Sequence, residues 1–291
     1  MDPQTAVVVL GIASAVAWGS ADFSGGIAGR RAPLLGVILV TQLSGCVLAL
    51  VLALLRHEPF PAPRDLLIAV VAGAVGVVGI WALYRGLATG RMGVVAPISG
   101  VLSAIVPVAV GIVLQGLPRP AAVAGIVLAV LAVILVSSAP GSADRPVQKR
   151  VAGLPSDMAI ALLAGTALGL LNVIVSRFTP DSVFAPLVLV RLTEAAIMIL
   201  IIRAATQPWR VPRAVWPLVL TAGGLDMAGN GLFILAAQAY RLDIAAVLSA
   251  MYPVSTLILA ALVLKERVVG VHAVGVAAAL GAIVLLTVRI G

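Results

Sequence analysis

The sequence predicts an all-α integral membrane protein of ten transmembrane helices, arranged as two inverted five-helix repeats. Three observations carry this expectation. Apolar residues make up 62% of the 291 positions and charged residues only 10%, against about 45–50% and about a quarter in soluble globular proteins. Polar side chains are therefore too few to cover a water-facing surface. The apolar residues fall into ten runs near the ~20 residues that cross a bilayer as a helix. The second five runs also keep the register of the first five at a constant offset, which lays Gly19 on Gly169 and Gly79 on Gly229.

The first run, 5–29, opens with "MDPQTAVVVLGIASAV". It lacks the positive n-region of a signal peptide and continues past the ~7–15 residues of an h-region, so it reads as a retained span. Runs 33–55, 65–88, 93–114 and 119–138 follow, separated by short breaks such as "RHEPFPAPR" and "QGLPRP". The longest connection, "APGSADRPVQKRVAGLPS" at 139–156, is rich in Pro, Gly and charge. It divides the chain into a first unit, 1–138, a linker, 139–155, and a second unit, 156–291. Runs 156–176, 182–203, 214–240, 244–264 and 268–288 make up the second unit. Helices satisfy their backbone groups internally, as hydrocarbon requires, and the absence of strand-type alternation excludes a β-barrel.

The offset also lays Ala72-Gly73 on Ala222-Gly223, Arg91 on Arg241 and Ser99 on Ser249. Five is odd, so the second unit must enter the membrane from the opposite side. Inverted repeats of this kind imply a site near the midplane, between the units, that exchanges access.

Several function classes are disfavoured. The net charge of +8 comes largely from Arg and Lys at the ends of apolar runs, where they face headgroups. No basic tract interleaved with aromatics suggests nucleic acid. A single cysteine, Cys46, excludes an intrachain disulfide and a thiolate cluster, and His57 and His272 stand far apart. No cofactor or metal is expected. No P-loop occurs, so ATP is not the direct energy source. A membrane-embedded enzyme would need a nucleophile or a paired acid and base near one interface, and no Ser-His-Asp group or HExxH motif occurs. Seventeen arginines against two lysines, with Ala, Val, Leu and Gly dominant, suggest a GC-rich bacterium and hence its inner membrane.

The candidate working residues are the polar ones inside the spans. In "TAGGLDMAGNGLF", Asp226, Asn230 and Phe233 stand at i, i+4 and i+7, on one helix face beside Gly223. An ionised carboxylate at the bilayer centre costs about 2.5–3.5 kcal/mol on insertion scales, so Asp226 should face protein or a wet cavity. The structural alternative is a helix–helix hydrogen bond with glycines allowing close approach. Arg191 and Glu194 are spaced to pair at i, i+3. If Asp226 joins them, one positive charge meets two negative ones, which leaves a carboxylate to exchange a proton or a substrate ammonium. Trp18 and Asp22 lie one turn apart, although Asp22 could also snorkel to the rim or pair with Arg30. Trp18, Trp81, Tyr84 and Tyr252 offer faces for a cation or planar solute, or serve as interfacial anchors. Pro97, Pro107 and Pro253 fall in or near helix interiors and could bend a gate.

The stretches "AWGSADFSGGIAGRRAP", "RMGVVAPISGVLSAIVP" and "RLDIAAVLSAMYPVSTLILAALVLKER" resemble the EamA-type transporters of the drug/metabolite transporter superfamily, one repeat per half. The last carries a mid-helix Pro253 and a terminal Glu266-Arg267. The resemblance implies ten helices in the drug/metabolite transporter fold and a secondary transporter that exports amino acids or related small metabolites. Its partners would be a small-molecule solute and the bilayer, with protons as a candidate coupling ion. Efflux of cationic drugs and uptake of a sugar-like solute are the alternatives within transport, and a membrane enzyme or a scaffold lies in a different class. The chain departs from the pattern where Glu266 is matched by Gly116 and Arg191 by Thr41. Orientation is contested: about six Lys/Arg would flank the side of the termini and about twelve the other. The positive-inside rule therefore puts the termini outside, whereas the resemblance puts them inside.

Overall fold

The computed structural model describes residues 2–89, 92–137, 150–151, 154–180, 182–263 and 270–287. Helices α1 (Pro3–Gly29), α2 (Leu34–Leu55), α3 (Pro63–Thr89), α4 (Met92–Gln115) and α5 (Pro120–Ser137) form the first half. The second half holds α6 (Ser156–Val175), α7 (Phe184–Ala205), α8 (Trp216–Ala239), α9 (Leu242–Ser249), α10 (Tyr252–Val263) and α11 (Gly270–Thr287). Pro3, Pro63, Pro120 and Pro217 each stand in a first helical turn, where the missing N–H has no intrahelical partner to lose. The Asp2 carboxylate completes the start of α1 by accepting the Thr5 N–H. Among the described residues, eight stretches are long and apolar enough to cross a membrane, and Pro120–Leu135 and Ala273–Leu286 are shorter apolar helices.

Two features depart from the expectation. The linker carries a short antiparallel pair, β1 (Arg150–Val151) with β2 (Leu154–Pro155). The ninth run is not one helix but two, α9 and α10, broken at Ala250–Met251. Proline lacks an N–H and its ring clashes with the preceding turn. Pro253 is therefore the second residue of a new helix rather than a bend within an old one. Pro107, by contrast, lies inside α4, which runs on through it. The side chain of Pro97 and the pair Glu266-Arg267 lie outside the described residues.

The halves interlock reciprocally. Helix α1 packs on α8 as α3 packs on α6; α2 packs on α8 as α3 packs on α7; α4 packs on α6 as α9 and α10 pack on α1. The pairs α2 with α7 and α5 with α11 map onto themselves. Glycines sit at the crossings, where apolar surroundings leave close van der Waals contact to hold helices together. Gly19 abuts Tyr252, Ser255 and Thr256, and Gly169, its match in the second half, abuts Leu102, Ser103 and Val106. Gly79 abuts Leu168 just as Gly229 abuts Trp18.

A methyl group at Gly19 would lie 2.5 Å from the Tyr252 carbonyl oxygen, and backbone cannot turn aside. Gly19→Ala is therefore expected to destabilise by about 1–3 kcal/mol, the usual penalty of overpacking. Gly26→Ala, with nothing within 4 Å of the added carbon, should be neutral or stabilise by up to ~1 kcal/mol. Thermal unfolding of the detergent-purified variants checks this, and equal shifts for the two would contradict it.

The start of α1 and the α2–α3, α4–α5, α6–α7 and α8–α9 connections gather at one end, here the near end. Hydrogen bonds tie them across the halves. Arg241 donates to the carbonyls of Gln115 and Gly116, and Gln115 Oε1 accepts from the Leu242 N–H at 3.0 Å. Bonded to the Asp243 carboxylate, the Arg241 guanidinium is held above its ordinary pKa range. The largest core cluster, including Val7, Phe178, Phe184, Leu187, Phe233 and Leu248, packs the near end. The far end has smaller ones: Ile38, Leu39, Val77, Ala195, Met198 and Ile202, and separately Ala28, Val37, Val215 and Val219.

Candidate functional site

Between the halves lies a cavity of about 160 Å³ lined from α1, α2, α3, α4, α6, α7, α8 and α10. Helical spacing builds its walls. Trp18, Ala21, Asp22 and Gly25 stand at i, i+3, i+4 and i+7 on α1, and Ala222, Asp226 and Asn230 stand at i, i+4 and i+8 on α8. Five lining pairs are 150 positions apart: Trp18 and Leu168, Ala21 and Leu171, Asp22 and Asn172, Thr41 and Arg191, Ile80 and Asn230. Trp18, Leu171 and Tyr252 of the cavity lining pack against the large core cluster. Asp22, by contrast, is exposed within its wall.

Arg191 organises the polar lining. It is 4% exposed and donates through Nη1 to Gln42 Oε1 at 2.5 Å and Glu194 Oε2 at 2.8 Å. Its Nη2 donates to Asp226 Oδ2. Glu194 is 1% exposed, whereas the Asp226 side chain keeps 31% of its surface open. Gly76 makes room for Glu194: any side chain there would meet Glu194 Oε1. Asp22 and Asp226 lie near enough for their charges to interact, as do Asp226 and Glu194. With all groups ionised, three carboxylates face one guanidinium.

The aromatic wall is equally defined. Trp18 lies against Gly229, with its ring centroid 5.8 Å from Phe233 and 6.3 Å, edge-on, from Tyr252. Phe233 is fully buried behind Trp18. Tyr252 and Ser103 close the wall side by side.

Of the residues expected from the sequence, Trp18, Asp22, Arg191, Glu194, Asp226, Asn230 and Tyr252 all line this one cavity. Asp22 lines the cavity and is exposed there. Asn230 donates to the Asp226 carbonyl at 2.7 Å, a bond within α8 and not the helix–helix bond weighed above. The Tyr84 side chain lies outside the described residues, and Trp81 is 40% exposed. Ser249 bonds not to its own helix but to the Gly11 carbonyl of α1, at 3.5 Å. Sequence reasoning missed Thr41, Gln42, Ser103 and Asn172. The offset sets Thr41 against Arg191 without marking it as a candidate, and carrying Asp22 across it would have found Asn172. Gln42 carried a signal of its own, as an amide within an apolar run.

The family model described as the EamA-like transporter family matches residues 5–138 and, a second time, 156–288. No curated protein matches the chain. A solved structure described as "Crystal structure of protein" shares the fold at a TM-score of 0.74 and 19% identity, covering 97% of this chain and 98% of that one.

Proposed function

This chain belongs to the EamA-like transporter family, and from that premise we propose that it is a secondary transporter whose cavity takes solutes bearing a cationic nitrogen. That it is a multi-pass membrane transporter of the drug/metabolite type follows from the family. The observation that carries the finer reading is the charge balance of the cavity. Asp22, Glu194 and Asp226 outnumber Arg191, and Arg191 is already bonded to Glu194, Asp226 and Gln42. An ammonium group or a proton would relieve that excess, and the Trp18 and Tyr252 rings beside it suit a cation.

We read the chain as two inverted units, 1–138 and 156–291, joined by 139–155, that alternate access around this cavity in a bacterial inner membrane. The reciprocal helix packing and the lining pairs 150 residues apart support that arrangement. Amine-bearing metabolites, amino acids foremost, are the proposed exported solutes. Organic cations are a second reading, favoured by the engagement of Arg191: the carboxylate of an amino acid would have to draw Arg191 away from Asp226. Counterflow in proteoliposomes with amino acids, organic cations and sugars tests both. Faster exchange of zwitterions than of simple cations supports the first reading and the reverse supports the second. Exchange of sugars alone would overturn both.

A further inference from the structure

Glu58 belongs to the α2–α3 connection of the first half, yet its bonds reach into the second. Its side chain is 1% exposed, and Oε2 accepts the N–H groups of Phe184 and Ala185, the first residues of α7, at 2.7 and 2.8 Å. Val183, the residue before α7, makes no side-chain cap. The cap therefore comes from the other half, as a carboxylate on the positive end of a helix. Asp65, in the first turn of α3, reaches the same α6–α7 turn: fully buried, it accepts the Thr179 N–H at 3.2 Å through Oδ1. Both carboxylates hold the α6–α7 turn at the near end. Seven residues beyond Phe184 on α7 stands Arg191, so the pinned helix is the one that carries the charged centre of the cavity.

Among the described residues the far end has no equivalent of these two groups. The matching positions are Pro208 and Val215, neither of which carries a side-chain acceptor. The contact between the matching segments is apolar: Val215 packs with Ala28, Val37 and Val219, and Gly36 abuts the Trp209 backbone. We propose that Glu58 and Asp65 form a one-sided latch that holds the two halves together at the near end, so that the protein rests closed there and accessible from the far end. The latch rests on the alternating-access reading, since only such a cycle must part these halves.

Thiol accessibility in the full chain, in lipid nanodiscs, tests it. The background is Cys46→Ser, which keeps a donor for the Val188 carbonyl. The near-end probe is Leu187→Cys, a buried position one turn before Arg191. The far-end probe is Gly25→Cys in the cavity wall, where an added carbon meets only Ala222, at 3.8 Å. Adding Glu58→Gln and Asp65→Asn should speed labelling of the near-end probe by a hydrophilic thiol reagent about tenfold, the scale of one charge-assisted hydrogen bond. Labelling at the far-end probe should slow in step. A faster near end with an unchanged far end would reduce the pair to a local helix cap and overturn the latch; so would no change at either probe. Arg56→Gln removes a partner of Glu58 and the cation over the Phe184 ring but leaves the Glu58 bonds to α7 intact, and should speed labelling less than Glu58→Gln does. Should the double variant fail to fold, Glu58→Gln alone carries the same expectation. Labelling does not depend on solute flux, so a parent protein without flux would refute the transporter reading separately.

Discussion

Arg191→Met is expected to be among the most destabilising single substitutions in this chain. The guanidinium is almost wholly buried and neutralises Glu194, itself 1% exposed, while binding Asp226 and Gln42. Removing one partner of a buried ion pair strands the other and typically costs 3–5 kcal/mol, roughly. Glu194 has nowhere to go, because its Oε1 is lodged against Gly76. The double variant Arg191→Met, Glu194→Gln removes both charges together and should recover more than half of the loss. Thermal unfolding of the purified proteins provides the measurement. A single variant as stable as the parent, or a double variant worse than the single, would show that the pair contributes nothing of this kind.

Asp226→Asn should have the largest effect on transport while leaving the fold standing. The amide keeps an oxygen for Arg191 and the shape of the side chain, so the lining survives. What it removes is the carboxylate that remains partly open to the cavity, at 31% exposure, beside Asp22. A charge-assisted hydrogen bond to a substrate ammonium contributes about 1.5–3 kcal/mol, which is roughly ten- to a hundredfold in affinity. Counterflow of a cationic solute should fall by at least that lower factor. Asp22→Asn should weaken exchange less, since it leaves Asp226 in place. Transport by Asp226→Asn at the parent rate and pH profile would end the proposal that this group handles a proton or an ammonium.

Most of the candidate site was legible before any coordinates, because hydrocarbon makes polar groups conspicuous. Asp226, Arg191 and Glu194 stand out where every neighbour is apolar, and a charge at such depth must find company. Trp18 and Asp22 were visible by the same contrast. Hydroxyls and amides were harder to read. Ser103 resembles any helix serine satisfying its own backbone, and it does donate to the Gly100 carbonyl at 2.8 Å. Asn172 and Thr41 become meaningful only as partners of Asp22 and Arg191 at the shared offset.

Hydropathy by itself determined the helical class and the rhythm of apolar runs, because solvent segregation and backbone satisfaction act along each segment. It did not determine where the ninth run would break: the clash at Pro253 can bend a helix or end it, and neighbouring helices choose. Nor could it show that Glu58, a charged residue in a short connection, caps a helix belonging to the opposite half. Tertiary structure decided these points because helix ends and buried charges are satisfied by whatever group comes close in space. In this chain those groups lie more than a hundred residues away: Glu58 is 126 positions from Phe184, and Gln42 is 149 from Arg191.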